Sequence, residues 1–437
     1  MAIAGPSWKR LGTLAAIAVL TATPGFAAGF SIFEQGAKAM GMAGAFTAQA
    51  DDPTAMFHNA AGLAFQNERA FSLGFTYITA SDAKFEGADP FPGADATGEQ
   101  KKLQEFPPHA YWVQPLNPRV VFGLGLESPF GLSIEWDDIN NWSGRFISTL
   151  SALRAVDLNP TIAWKANDSF GVGIGVIGRF SDVELERRLG RVNPFTQTAA
   201  DIADVHLESD FDTGYGFNVG LLHKWNNSFS WGLSYRSKIK LDYEGDGRLT
   251  QILTGFPQFD GAVARALPFG VDLPIETSIE FPDIASLGLL FAITPQLWVE
   301  ADVNWTGWSS FDEVVINGTN ATSGAIFNPE NSTIHENWED VYNYRLGVRW
   351  DLASGSQMRF GYVYDETPQP DESVNPLLPD ADRMGFTIGY GTHLGSYPLD
   401  LAVMYLPFDE RTTEVNQDNF NGTYSTTAWL FGATLGF

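Results

Sequence analysis

The strongest constraint on this chain lies in its C-terminal residues. From Ala428 onward, Trp429, Phe431, Ala433, Leu435 and Phe437 occupy one parity, while Thr426, Gly432, Thr434 and Gly436 occupy most of the other. A two-residue period marks a β-strand with one apolar and one polar or small face, and here it runs to the terminal carboxylate. The rhythm returns in Met384, Phe386, Ile388 and Tyr390, in Met358, Phe360, Tyr362 and Tyr364, and in Leu297, Val299, Ala301, Val303 and Trp305 against Glu300, Asp302 and Asn304. It returns again in Tyr342, Tyr344, Leu346, Val348 and Trp350 against Asn343, Arg345 and Arg349. A further strand reads Trp231, Leu233, Tyr235, Ile239, Leu241 and Tyr243 against Arg236, Lys238, Lys240 and Asp242. A soluble sandwich also alternates, but its strands are shorter and its polar face meets bulk water. These runs are long, carry Tyr and Trp on the apolar face, and are joined alternately by short and long connections. They predict an all-β chain: a transmembrane antiparallel β-barrel with apolar side chains toward lipid and polar or small ones toward the lumen.

Composition agrees and removes other classes. Lys plus Arg number 26 against 52 Asp plus Glu, a formal charge of −26, which excludes a nucleic-acid partner because phosphate binding needs a basic footprint. No cysteine is present, which excludes disulfides, thiolate metal sites, a cysteine nucleophile and a lipid-anchored Cys. Only 18% of residues are charged, below the roughly one quarter of an ordinary soluble domain, while Gly numbers 44.

The chain divides into three parts. Lys9 and Arg10 precede an apolar stretch from Leu11 to Leu20, then Pro24 and Gly25-Phe26-Ala27, so residues 1–27 read as a secretory signal cleaved after Ala27. The apolar stretch is too short for a spanning helix, which needs roughly 18 residues. Residues 28–68 show no strand period, are rich in Ala, Gly and Met, and are expected to form a plug inside the lumen. Residues 69–437 are expected to form the barrel, with about fourteen strands, an even number as bacterial barrels require. Short turns are expected at Leu116 to Arg119, Ala166 to Ser169, Asn226 to Ser228, Thr294 to Gln296, Ala353 to Ser356 and Gly395 to Pro398, on the periplasmic side. Long extracellular loops are expected at Ser81 to Pro108, Phe130 to Leu150, Arg188 to Asp204, Gly247 to Pro274, Asn317 to His335, Thr367 to Asp382 and Asp409 to Asn421.

Enzyme signatures are weak. The six His are scattered, with no His-Glu-x-x-His zinc motif and no Gly-x-Ser-x-Gly elbow. Gly173-x-Gly175-x-x-Gly178 matches a dinucleotide fingerprint by letters, but the βαβ context is missing and the glycines suit the lumen face of a strand. No catalytic residue, metal site or cofactor is expected. An outer-membrane lipid hydrolase and a general hydrophilic porin stand as the alternatives to a channel for hydrophobic solutes.

Motifs spread along the whole mature chain narrow the choice. These are Ala28-Gly29-Phe30, Ala50-Asp51-Asp52-Pro53-Thr54-Ala55 leading to His58-Asn59-Ala60-Ala61-Gly62-Leu63, and Trp338-Glu339-Asp340-Val341-Tyr342. Tyr364-Asp365-Glu366-Thr367-Pro368-Gln369-Pro370, Leu378-Pro379-Asp380-Ala381-Asp382-Arg383 and the closing Ala428-Trp429-Leu430-Phe431-Gly432 complete the set. Together they resemble the FadL/TodX family of outer-membrane channels for long-chain fatty acids and aromatic hydrocarbons. The resemblance implies a monomeric channel of the bacterial outer membrane, with surrounding lipid and the barrel-assembly machinery as its partners. It also implies passive uptake: capture in a loop groove, binding in a lumenal pocket, displacement of the plug and sideways release into the bilayer. The plug motif here is Asn59, Ala60, Ala61, Gly62, where the family carries Asn-Pro-Ala. Loss of the ring that fixes φ is expected to loosen this turn.

Individual residues can be set against that scheme. Pro129, Phe130 and Gly131 interrupt an alternating strand, since Pro lacks a ladder donor and Gly packs nothing. They mark a lateral gap in the wall or, alternatively, the start of an extracellular loop. Phe195, Ile202, Phe256, Phe259, Leu267 and Phe269 are apolar residues on expected loops, forming a solute groove or packing the loops on one another. A carboxylate entering a low-dielectric lumen needs a cation, and Arg236 and Lys238 are the candidates by inward parity. Arg349 and Arg359 are placed nearly opposite one another, with Glu300 and Asp302 as the expected neutralising carboxylates. Arg187 and Arg188 are further cations whose facing the pattern leaves open.

Because Phe437 ends the last strand on its lipid-facing parity, its deletion is expected to impair assembly. The check is the folded, outer-membrane-inserted fraction of the deletion variant, which should fall well below that of the unaltered chain.

Overall fold

The computed structural model describes residues 29–437; the expected signal segment, residues 1–27, lies outside them. Fourteen strands pair antiparallel into a closed ring. They are β1 (Ala70–Gly87), β2 (Pro108–Asn117), β3 (Val120–Glu135), β4 (Leu150–Lys165), β5 (Phe170–Val192), β6 (Asp212–Asn226), β7 (Phe229–Arg236), β8 (Ile284–Thr294), β9 (Leu297–Thr306), β10 (Val341–Asp351), β11 (Gln357–Asp365), β12 (Arg383–Leu394), β13 (Tyr397–Pro407) and β14 (Gly422–Gly436). The ring closes where β1 meets β14, with Ser72 opposite Gly436 and Gly87 opposite Gly422.

Alternation has the physical meaning the sequence suggests. Exposed apolar side chains, among them Ile174, Val176, Phe291, Leu346, Val403 and Trp429, form the outward face. Their in-between neighbours, such as Thr161, Asn218, Asp302 and Arg359, are buried. The six short turns close one end of the ring. At the other end the strands run further into the expected loops than the pattern indicates, with β1 reaching Gly87 and β5 reaching Val192. There, Ala199–Ser209 pairs with the upper part of β5 and with Ile239–Gln251, which pairs with Asp272–Phe281, so the wall continues as a tall extension. These strands meet the ring at three breaks, Asp210-Phe211, Ser237-Lys238 and Pro282-Asp283.

The N-terminal segment, residues 29–67, is almost wholly buried. It contains two single-turn helices, Ala37–Met40 and Ala55–His58, and a 3₁₀ helix, Ala60–Phe65. Its partners lie right round the ring, so the segment lies within it. Thr434 on β14 accepts from Ala37 N (2.9 Å), and Thr76 on β1 donates to Glu34 O (2.8 Å). Arg345 on β10 donates to Ala43 O (3.0 Å), and Thr387 on β12 donates to Gly41 O (3.0 Å). On β9, Asp302 Oδ2 accepts from Phe46 N and Thr47 N, both at 3.0 Å, while Glu300 accepts from Ala48 N at 2.5 Å and from Gln49 N at 3.0 Å. An irregular buried segment must find such acceptors for its backbone. This corrects the expectation for Glu300 and Asp302. Arg349 and Arg359 do sit opposite one another, but Asp351 and Asp51 neutralise Arg349 and Asp400 neutralises Arg359.

Small residues on the inner face let the segment approach the wall. A Cβ built on Gly220 of β6 would fall against Asn59 Oδ1 and 2.8 Å from Ala61 N, and one on Gly173 of β5 would strike the backbone of Ala60. Gly173 therefore serves packing, which accounts for it without a dinucleotide. Substituting Gly220→Val is expected to dislodge the segment. The thermal midpoint should fall, and the small-ion conductance of the reconstituted protein should rise above that of the unaltered chain.

Candidate functional site

Apolar inward side chains gather at the long-loop half of the ring. Phe30 sits among Trp308, Phe311, Trp338 and Phe130, with ring centroids at 4.8, 5.2, 5.8 and 6.0 Å. Beside this cluster lies a cavity whose walls include Phe30, Leu132, Leu153, Leu185, Ile279 and Leu378. That lining suits an apolar ligand. Glu336, from the loop before β10, also lines it and is 1% exposed. Its Oε2 accepts from Trp338 Nε1 (2.9 Å) and Gln369 Nε2 (3.4 Å), and its Oε1 has no partner among the described residues. Burial pushes this carboxyl up to about 8, the two hydrogen bonds offsetting only part of the shift. The sequence gives no sign of this, because Glu336 stands among many loop acids.

A second cavity shares Leu185, Leu207, Ile316, Ile334 and Leu377 with the first and adds Arg187, His335 and Asp418. The two are thus contiguous, one apolar and one polar. Among the described residues no carboxylate lies within 4.0 Å of Arg187. Arg188, on the opposite face, is committed to Asp201 (2.7 Å), Asp204 (3.0 Å) and Asn140 (2.9 Å). The facing of these two arginines, open in the sequence, is resolved by the register of β5.

The expected carboxylate pair is not brought together. Arg236 is buried and inward, donating to Glu127 Oε2 (2.8 Å) and Asp157 Oδ2 (3.2 Å) with its guanidinium 4.8 Å from the Phe57 ring. Lys238 is a correction: its side chain is 57% exposed and pairs with Glu280 on the outside (3.1 Å). Ser237 and Lys238 stand outside the ladder, which shifts parity by one step, so Ile239, Leu241 and Tyr243 turn inward and Lys238, Lys240 and Asp242 turn out.

Around Pro129, Phe130 and Gly131 the wall has two different edges. Toward β4, β3 stays paired through Glu135, with a register shift between Glu127 and Phe130. Toward β2, pairing ends at Ala110 opposite Leu126. Beyond that point the N-terminal segment takes the place of β2: Ile32 N donates to Pro129 O (2.7 Å) and Gly131 N donates to Phe30 O (2.9 Å). Gln35 adds two bonds to Ser128, one to its carbonyl (2.7 Å) and one from its N–H (2.9 Å). Phe130 points inward and packs on Phe281, centroids 5.0 Å apart.

The loop residues divide. Ile202 and Phe259 are buried with Val263 in a small loop core that Leu267 and Phe269 cover, so these four pack loops together. Phe195 and Phe256 stack at 5.6 Å with an interplanar angle of 4° and remain exposed, as does Leu253. In the Asn59, Ala60, Ala61, Gly62 motif, Ala60 starts the 3₁₀ helix, a first-turn position where Pro would also fit because its N–H has no intrahelical partner. Asn59 nonetheless pins the turn: Oδ1 accepts from Ala61 N (3.1 Å), and Nδ2 donates to Thr47 O (2.8 Å) and Leu221 O (3.0 Å).

Comparison with known proteins identifies relatives of this arrangement. The family model described as "Outer membrane protein transport protein (OMPP1/FadL/TodX)" matches residues 18–437. A long-chain fatty acid transport protein of Escherichia coli O6:H1 is 24% identical, with 99% of each chain covered. Outer membrane protein P1 of Haemophilus influenzae is 23% identical over 97% of this chain and 98% of its own. Among solved structures, a Pseudomonas aeruginosa FadL homologue superposes with a TM-score of 0.78 at 22% identity, covering 94% of this chain and 99% of that one. The Ralstonia pickettii toluene transporter TbuX superposes with a TM-score of 0.65 at 17% identity, over 92% and 99%.

The Glu336 carboxyl sets an expected pH dependence for the apolar cavity. Below about pH 8 it is neutral, and above it the site carries a negative charge. Binding of a long-chain carboxylate should therefore weaken about tenfold between pH 7 and pH 9, while binding of the matching neutral alcohol stays level. Glu336→Gln should flatten the acid's profile. The stability sign follows too: the unfolded carboxyl releases its proton near 4.5 and the folded one near 8, so the loop packing loses stability as pH rises between those values and no further above them. Titrations in detergent at several pH values check the binding.

Proposed function

The chain belongs to the FadL/TodX family of outer-membrane transport proteins, and from that premise we propose that it takes up long-chain fatty acids or related hydrocarbons and releases them sideways into the bilayer. The long-loop end faces the exterior. An apolar solute is first held at the exposed Phe195, Phe256 and Leu253, then enters the adjoining cavities, its tail beside Phe30 and any carboxylate toward Arg187. Residues 28–68 act as the plug. The membership makes this a transport channel rather than a lipid hydrolase. A hydrophilic porin would need an open lumen, and residues 29–67 occupy it.

One observation carries the route. Phe30 lines the apolar cavity, and its own carbonyl holds Gly131 N at the edge where β3 has lost β2. A solute that displaces Phe30 therefore pulls on the bonds that cover the gap. Arg187, a cation without an ion-pair partner among the described residues, favours an acid over a pure hydrocarbon as the solute.

Replacing Pro129 by Val and Gly131 by Thr is the test. The double variant should let β3 pair toward β2, so uptake of a radiolabelled long-chain acid into cells lacking other routes falls at least tenfold. Binding in detergent should stay within about twofold. Uptake at the native rate by a correctly folded variant would remove this segment from the route.

A further inference from the structure

We propose that the outer face of the wall extension carries a binding site for one divalent transition-metal ion, with zinc as its probe, built from Glu184, Glu186 and His206. Residues 183–186 read Val-Glu-Leu-Glu and residues 205–208 read Val-His-Leu-Glu. Both stretches are strand, in β5 and in Ala199–Ser209, so a two-residue period separates their faces. Leu185 and Leu207 turn inward and line both cavities, which leaves Glu184, Glu186, His206 and Glu208 on the outside. Register then places Glu184 opposite Glu208 and Glu186 opposite His206. One ligand atom each from Glu184, Glu186 and His206 lie within 4.8 Å of one another, and all three side chains are half-buried. His206 Nδ1 is 2.9 Å from Glu186 Oε1 and 3.7 Å from Glu184 Oε1. Tetrahedral zinc ligands at about 2.0–2.1 Å from the metal stand roughly 3.3 Å apart, and the two distances bracket that spacing.

The group differs from an ordinary acidic patch in two ways. Glu208 Oε2 stands 3.5 Å from Nε2, the far nitrogen of His206. A carboxylate on that side holds the proton on Nε2 and turns the Nδ1 lone pair toward Glu184 and Glu186, as metal-binding histidines require. The cations nearby are also committed elsewhere. Arg154, whose charge reaches Glu184 from β4, is held by Asp182; Arg188, next along the same face, by Asp201 and Asp204; Arg248, opposite His206 on Ile239–Gln251, by Asp272. Among the described residues, His206 is the only basic side chain within 4.0 Å of Glu184, Glu186 or Glu208. Asp246, opposite Glu208, adds a further carboxylate to the row. Like charges directly opposite one another across a sheet are destabilising, and a dication beside His206 Nδ1 would relieve them. An imidazole nitrogen among carboxylate oxygens favours a transition metal over calcium, which takes about six to eight oxygens. With Leu185 and Leu207 behind it, the ion would tie together two strands that wall the cavities, whatever the cargo. The sequence conceals the site, because Glu186 and His206 are twenty residues apart and meet only through register.

The untagged full chain in detergent, stripped with chelator and titrated with zinc chloride at about pH 8, where an ordinary imidazole is neutral, should bind one ion at this site. His206→Gln and Glu186→Gln should each weaken that binding at least tenfold, and Glu208→Gln, which keeps all three ligands, about tenfold. Calcium at equal concentration should not displace the zinc. Crystals of the full chain grown with zinc should show an anomalous peak between His206 Nδ1, Glu184 and Glu186. Absence of that peak overturns the site without any substitution, so a variant that fails to fold does not decide the matter. No zinc binding by the unaltered chain, which would leave a charged His206 as the sole partner of these carboxylates, also overturns it. So does an affinity that His206→Gln leaves unchanged, or displacement of zinc by calcium, since either means a diffuse acidic surface.

Discussion

Every other feature of this molecule depends on the closure of one hydrogen-bond ladder. Lipid offers a backbone N–H or C=O nothing, and each unsatisfied group costs several kcal/mol there. The last strand therefore has to find the first. It does so to the final residue, with Phe71 N donating to Phe437 O (3.1 Å) and Phe437 N to Phe71 O (2.7 Å). Around β3 the same requirement is met differently. Above Leu126, where β2 is no longer its partner, Phe30 and Ile32 supply the bonds to Pro129 and Gly131. A residue lining the apolar cavity thus also helps to cover the wall.

Much of the wall was legible because a strand between lipid and lumen has two unlike faces, and alternation records them directly. Outward Trp429 and Phe431 against inward Gly432 and Thr434 are as expected. Legibility fails where the ladder breaks. Ser237-Lys238 contains neither Gly nor Pro, yet the two residues leave the ladder and the parity beyond them reverses, so the pattern gives the facing of Arg236 and misses that of Lys238. Pro282-Asp283 marks the facing break with a proline, and only the pairing of Ile239–Gln251 with Asp272–Phe281 relates the two.

Partners inside the ring were less legible still, because periodicity gives a facing and no distance. Glu300 and Asp302 face inward as expected, yet they bind four consecutive backbone N–H groups of residues 46–49 and leave Arg349 and Arg359 to other acids. The irregular segment has more unpaired donors than its own turns can satisfy, and carboxylates are the strong acceptors at hand. Of the site residues, Phe30 could be suspected from its place in a motif. Glu336 and Arg187 could not, since burial in one case and strand register in the other decide their roles.

Counting bonds also bears on the exit proposed for the solute. A long acyl chain gains roughly 0.8 kcal/mol for each methylene kept from water, so delivery into an aqueous compartment would cost on the order of 10 kcal/mol. Release into the bilayer avoids that cost. The protein's own share of the work favours the same direction. An axial path runs against a segment tied to Thr434, Thr76, Asp302, Glu300, Arg345 and Thr387 on five strands of the wall, with the Lys38–Asp51 ion pair (2.8 Å) among its contacts. Opening beside β3 breaks the two backbone bonds at Pro129 and Gly131 and the two between Gln35 and Ser128. The lateral path therefore breaks fewer of the segment's ties, whereas removing the whole segment would also strip Asp302 and Glu300 of their donors inside a closed wall.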